Sequence, residues 1–168
     1  TAEKLELGYD LYDPDGKLVH YSNNKFQLEP TSRDTVPFKP FSYNSNQYRW
    51  SASNPKLYKL MIYVKRGGAL REYIPLKVGF AKHGYNDNGE ILLFDKALKL
   101  NKQTYNAAKD KATTEREIKA LKAKGINCLC PEYPQPKWFY SICDAVGIYV
   151  IDCAALAAPS SADNRDVD

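Results

Sequence analysis

The chain has 168 residues, 43% hydrophobic and 26% charged, a globular composition with room for one large domain or two small ones. Its net charge of +4 is modest and its Lys and Arg are interspersed with acids, which argues against a dedicated nucleic-acid surface. No apolar run reaches the roughly 20 residues that span a bilayer. No secretory leader pattern is present, and the start at Thr1 is expected of a mature form or an excised piece.

Residues 1–80 carry β patterning. "YDLYDPDGKLVHYS", 9–22, predicts a hairpin: apolar alternation, a turn at Asp13-Pro14-Asp15-Gly16, then a strand from Leu18 to Tyr21. Residues 22–49 are rich in Asn, Ser and Pro, with Phe26, Phe38 and Phe41 as isolated anchors, and predict short strands and long loops. "LYKLMIYVKRGGALREYIPLKVGF", 57–80, predicts a second hairpin. Tyr58, Leu60, Ile62 and Val64 share one face, Arg66-Gly67-Gly68 makes the turn, and Ile74, Leu76, Val78 and Phe80 return. Pro75 has no N–H for a ladder, so it belongs at an edge or a bulge. Together these segments predict a small β-sandwich, with Trp50 as a core anchor.

The pattern changes after Phe80. "HGYNDNGEILLF" is a Gly/Asn/Asp loop followed by a strand from Ile91 to Phe94, and "ALKL" is a further short strand. A helix follows. Thr114-Glu115-Arg116-Glu117 fits a capping box, Ile118 and Leu121 form its apolar stripe, and Gly125 suits its stop. "INCLC" is the next strand. Pro134 and Pro136 interrupt the chain, then Phe139, Ile142, Cys143 and Val146 mark a second amphipathic helix that Gly147 ends. "GIYVIDCAALAAP" closes the series, with Asp152 at the strand's carboxyl end and the small residues Cys153, Ala154 and Ala155 beyond it. This strand–helix–strand–helix–strand order over 81–158 predicts a parallel sheet. The acidic, polar residues 159–168 predict a disordered tail.

Few residues announce chemistry. The 13 Tyr fall mostly in strand-like or loop segments and fit either half-buried β surface or sugar-stacking faces. Cys128 and Cys130 share a strand face, but with Cys143 and Cys153 they match zinc spacings poorly. They read as free buried thiols, with a thiol–metal site on Cys128, Cys130 and Cys153 as the alternative. Glu132 and Asp152 end neighbouring strands. A solvated Glu132 and an Asp152 that accepts backbone or Tyr hydrogen bonds explain them without catalysis.

Longer stretches carry a resemblance. "WSASNPKLYKL", 50–60, resembles the W-S-x-E-N-P-x-L-Y-x-L segment of the immunoglobulin-like domain of glycoside hydrolase family 2, which holds β-galactosidases, β-glucuronidases and β-mannosidases. "VGF" at 78–80 is similar to that domain's last strand, and "ILLFDKALKL" to the L-L-L-N-G-K-P-I-x-L entry into the (β/α)8 barrel. "EREIKALKAKGINCLCPEYPQPKWFYSICDAVGIYVIDCA" resembles the barrel's first helix, second strand, second helix and third strand. The resemblance covers residues 50–156 and reaches 1–49 only by position and type.

The resemblance implies an immunoglobulin-like β-sandwich over 1–80 followed by a partial α/β barrel (β-α-β-α-β) over 81–158. It implies a role in carbohydrate metabolism and, by family analogy, a periplasmic or extracellular location. The polar pocket motifs differ here. The first-strand N-R-H-E gives way to Gln103-Thr104-Tyr105-Asn106, the second-strand R-x-S-H-Y-P to Cys130-Pro131-Glu132-Tyr133-Pro134, and the third-strand D-E-A-N to Asp152-Cys153-Ala154-Ala155. Glu132, Tyr133 and Asp152 are the substrate-binding candidates that the resemblance supplies. The family's acid/base and nucleophile come from the fourth and seventh barrel strands, beyond the third strand that the chain reaches. A non-catalytic, degenerate or fragmentary family member is therefore expected, with no catalytic residue, metal or cofactor. A glycan- or protein-binding module derived from the fold is the alternative.

Three strands cannot close a barrel. The face away from the helices is expected to carry Ile126, Cys128, Cys130, Val150 and Asp152, or the alternate set. Residues 81–110, the sandwich or a second copy would cover it, and self-association is the expected answer.

Overall fold

A computed structural model describes residues 3–29, 31–42 and 48–152. The chain divides into two compact units, 1–83 and 84–168.

The first unit is one antiparallel sheet of four strands: β1 (Glu3–Tyr12), β2 (Leu18–Leu28), β3 (Tyr58–Arg66) and β4 (Ala69–Val78), in the order β2-β1-β3-β4. The first hairpin forms where expected. Asp13 sets its turn, because its Oδ1 accepts from the amides of Asp15 (3.0 Å) and Lys17 (2.9 Å). Its second strand runs on to Leu28, well past the predicted end at Tyr21, since Asn24 to Leu28 keep register with β1. Gly67 and Gly68, both at positive φ, turn β3 into β4. Pro75 lies on β4, an edge strand, where a missing donor is tolerated.

Alternation gives the sheet two unlike faces. Tyr9, Leu11, Leu60, Ile62 and Val78 share the apolar one. Phe38 and Phe41 pack on it, with ring centroids 5.1 and 6.3 Å from Tyr9, and Phe41 stacks on His20 at 3.8 Å. Trp50 is buried; its amide donates to the Phe80 carbonyl at 2.9 Å, and a Cβ on Gly79 would sit 3.1 Å from its ring. Of the expected sandwich, the described residues of this unit form a single sheet. Residues 31–42 lack period-2 alternation and cross the apolar face as irregular chain, contributing aromatic side chains where a second sheet would contribute strands.

A small sheet follows from the boundary at His83: β5 (His83–Tyr85), β6 (Ile91–Leu93) and β7 (Lys96–Ala97), order β5-β6-β7. Then come β8 (Lys102–Tyr105), α1 (Lys111–Ala123), β9 (Cys128–Pro131), α2 (Lys137–Val146) and β10 (Tyr149–Val150). The last sheet has order β10-β9-β8 with both pairs parallel, as two βαβ units require.

The start of α1 corrects a prediction. Asp110 is its N-cap, accepting from the Thr113 amide at 2.9 Å, and Thr114 lies buried inside the helix with its hydroxyl turned to the Lys109 amide at 3.1 Å. A free N-cap four residues earlier removes the need for a capping box at Thr114. Gly125 ends the helix as expected. Its amide reaches the Lys122 carbonyl and that of Ile126 the Leu121 carbonyl, the paired bonds of a Schellman stop. Gly147, left-handed at φ 83°, ends α2.

The core of this unit holds Tyr105, Ile118, Leu129, Phe139, Ile142, Cys143 and Ile148 between helices and sheet. Ile126 and Val150 pack against it too, and Asp152 turns to α2, so of the residues expected on the other face of the strands only Cys128 and Cys130 lie there. There, pairing aligns Lys102, Cys128 and Tyr149, with Thr104 beside Cys130. Lys102 and Thr104 are exposed, which makes that face more polar than expected.

Candidate functional site

The carboxyl ends of β8, β9 and β10 stand side by side, the place where parallel α/β folds gather functional loops. β9 leads into Pro131-Glu132-Tyr133-Pro134-Gln135-Pro136. The Glu132 amide reaches the Tyr105 carbonyl at 3.4 Å, carrying the ladder one residue beyond the strands. The Glu132 side chain is exposed and has no hydrogen-bond or ion-pair partner among the described residues. Tyr133 is 53% exposed.

Asp152 follows β10, and its Oδ2 accepts from the Tyr140 hydroxyl of α2 at 2.6 Å. Alternation agrees: Asp152 lies two residues past Val150, on the helix side of the sheet. The same Tyr140 oxygen accepts from the Gln135 amide at 2.9 Å. Gln135 Oε1 accepts from the Ala108 amide at 2.8 Å, and its Nε2 donates to the Tyr133 carbonyl at 2.7 Å. One string of hydrogen bonds thus joins the loops after all three strands. Burial, then the Asp152 carboxylate, raises the Tyr140 phenol above its ordinary 10.0.

A second network braces β8 against α1. The Tyr105 hydroxyl donates to Glu117 Oε2 at 3.0 Å, and Lys109 Nζ donates to Glu117 Oε1 at 2.7 Å. These bonds, Lys109 first, hold the Glu117 carboxyl below the usual range, while burial lifts the Tyr105 phenol.

The site therefore brings the three sequence candidates to one end of one sheet but uses them differently. Asp152 is anchored through one oxygen, whereas Glu132 and Tyr133 project from their loop. Glu132 and Asp152 share no hydrogen bond. Sequence reasoning missed Gln135 and Tyr140. A signal existed for Gln135: it lies between Pro134 and Pro136, so its amide is the only backbone donor of the three.

The thiols occupy another region. Burial, then its neighbour Cys130, pushes the Cys128 thiol up to about 11, and burial pushes Cys143 up to about 12. Such thiols are poor metal ligands and nucleophiles near neutral pH. Among the described residues no three His, Cys, Asp or Glu side chains converge as a metal cage, and Cys153 lies outside those residues.

The family described as glycosyl hydrolases family 2, TIM barrel domain, matches residues 97–166, the stretch containing all three parallel strands. The chain is similar to glycoside hydrolase family 2. It is 35% identical over 117 residues to a β-galactosidase of Lactobacillus delbrueckii subsp. bulgaricus, covering 64% of this chain and 11% of that protein. It is 30% identical over 154 residues to a β-galactosidase of Halalkalibacterium halodurans, covering 85% of this chain and 14% of that protein. In structure it resembles a family 2 member from Bacteroides cellulosilyticus, with TM-score 0.78, 21% identity, and coverage of 90% of this chain and 22% of that one. The β-glucuronidase of Bacteroides uniformis gives TM-score 0.77 and 21% identity over 89% of this chain and 19% of that one. The chain spans only 11–14% of the length of these two β-galactosidases. The family 2-like and β-galactosidase-like expectation thus holds in sequence, and the fold is shared with family 2 structures.

No helix among the described residues is long and apolar enough to cross a membrane.

Proposed function

We propose that this chain contributes one wall of a carbohydrate site in a family 2-like protein and is non-catalytic by itself. The observation that carries the reading is the hydrogen-bonded string Asp152–Tyr140–Gln135–Ala108. It ties three loops together at the carboxyl end of the parallel sheet while Glu132 and Tyr133 project from it. An exposed phenol ring offers a stacking surface for a sugar's C–H face, and an unpaired carboxylate accepts from hydroxyls. Asp152 positions this wall and offers its second oxygen to the same ligand. The one-sheet first unit is read as a layer of an immunoglobulin-like domain, supported by its single apolar face.

Non-catalytic character follows from the chemistry of the residues present. Retaining hydrolysis uses two carboxyl groups about 5–5.5 Å apart, one of them protonated as the acid. Of the two carboxylates just past the ends of β9 and β10 among the described residues, Asp152 is tied to Tyr140 and Glu132 is exposed. A glycan- or protein-binding module is the second reading, favoured by the exposure of Tyr133.

The test is direct. The isolated chain is assayed with the nitrophenyl β-galactoside, β-glucuronide and β-mannoside, and no turnover is expected. Turnover that survives repurification and disappears in Glu132→Gln overturns the reading.

A further inference from the structure

The polar face of the first unit's sheet contains a feature that its fold does not require. Gly8 lies buried in the middle of β1, where glycine weakens a strand. The Tyr63 ring of β3 covers it: a Cβ on Gly8 would run into the ring's Cζ, Oη and Cε2. Glycine at this position leaves room for the phenol end of the Tyr63 ring over the neighbouring strand. Lys65 Nζ sits 4.6 Å from the ring centroid and helps hold it. Directly opposite Tyr63 in the register is Tyr73, which is 58% exposed. A groove of about 920 Å³ runs along these rings and is also lined by Asp10, Tyr12, Lys59 and Met61.

We propose that this groove is a saccharide-binding platform, separate from the parallel-strand end. A pyranose has an apolar C–H face and a rim of hydroxyls. The Tyr63 and Tyr73 rings, opposite each other in the register, suit the first. The Asp10 carboxylate and the Lys59 ammonium suit the second, since neither has a side-chain partner among the described residues. Acid and base stand together in the groove, so a strongly charged ligand of either sign meets repulsion as well as attraction. A purely apolar ligand would strand both charges. The volume accommodates a short oligosaccharide. The choice of sugars as the ligand class rests on the carbohydrate reading proposed above; the platform geometry does not.

The test titrates the whole chain with lactose and follows the tyrosine ring resonances by NMR. Saturable shifts are expected at Tyr63 and Tyr73. Affinity should weaken by about tenfold or more in Tyr73→Ala, the loss of one stacking ring. Gly8→Ala should weaken it similarly by lifting the Tyr63 ring; if that variant does not fold, Tyr63→Leu replaces it. Tyr85→Ala, in the second unit, should bind normally. No saturation at Tyr63 and Tyr73, or saturation that Tyr73→Ala leaves unchanged, overturns the proposal. Shifts confined to Tyr133 and Tyr140 overturn it while leaving the strand-end reading standing. Shifts at Tyr63 and Tyr73 without any at Tyr133 support the platform and count against the strand-end wall.

Discussion

The Tyr140 hydroxyl donates to Asp152 Oδ2 at 2.6 Å while accepting from the Gln135 amide at 2.9 Å. A single phenol therefore fixes the chain after β10 to the loop after β9, through a residue of the helix between them. The arrangement explains why a carboxylate at the end of the last strand turns toward α2.

Tyr140→Phe removes that junction without changing the ring. The loss of two hydrogen bonds, one of them to a carboxylate, is expected to destabilise the chain by about 2 kcal/mol or more and to lower its melting temperature. The wild-type phenol should also ionise above 10.0, as burial and Asp152 both oppose the phenolate. Its folded pKa lies above its unfolded one. Its contribution to stability is thus complete below pH 10 and is lost as pH rises through the folded value. Ultraviolet titration of wild type against Tyr140→Phe checks this; a Tyr140 phenol titrating at or below 10.0 would contradict it.

Trp50→Ala should cost about 3–5 kcal/mol, because it empties a buried site lined by Gly79 and anchored to the Phe80 carbonyl. Thermal or urea unfolding measures the loss. An unchanged midpoint would mean that Trp50 is not a core residue.

Asp110→Ala should shorten α1 and lower the melting temperature, whereas Asp110→Asn, which keeps an acceptor, should stay near wild type. Hydrogen bonds from the Thr113 amide and side chain hold the Asp110 carboxyl below 3.8. Its contribution is therefore present above its unfolded pKa and lost as pH falls through the lower folded value. Circular dichroism of the three proteins across acid pH reports it. Equal acid sensitivity of wild type and Asp110→Asn would remove Asp110 from the account.

The β6–β7 hairpin turns on Phe94 and Asp95, both left-handed at φ 50° and 65°, between the paired residues Leu93 and Lys96. Non-glycine residues are strained there by about 1–2 kcal/mol each, and Asn-Gly is the natural occupant of such a turn. Replacing Phe94-Asp95 by Asn-Gly should raise the unfolding midpoint, by about 1 kcal/mol or more. A fall would show that the Phe94 ring contributes more to packing than its backbone loses.

Local rules were legible in the sequence wherever a residue acts on its own neighbourhood. Asp13 sets a turn, Gly125 and Gly147 stop helices, Pro75 marks an edge, and the stripe Phe139, Ile142, Cys143 faces the core, because each follows from backbone chemistry or period over a few residues. The resemblance to family 2 was legible for the same reason, since its motifs are short runs. Tertiary structure alone decided what depends on partners distant in sequence. Asp110 displaced Thr114 as the helix cap because burial drew the Thr114 hydroxyl inward to Lys109. The irregular segment with Phe38 and Phe41 covered Tyr9. Asp152 found Tyr140 twelve residues away, and Gly8 found the ring of Tyr63 across a strand pair. Neither glycine nor aspartate carries in its own sequence neighbourhood the identity of the side chain that will lie against it. That is set by register and by the helix that crosses between strands.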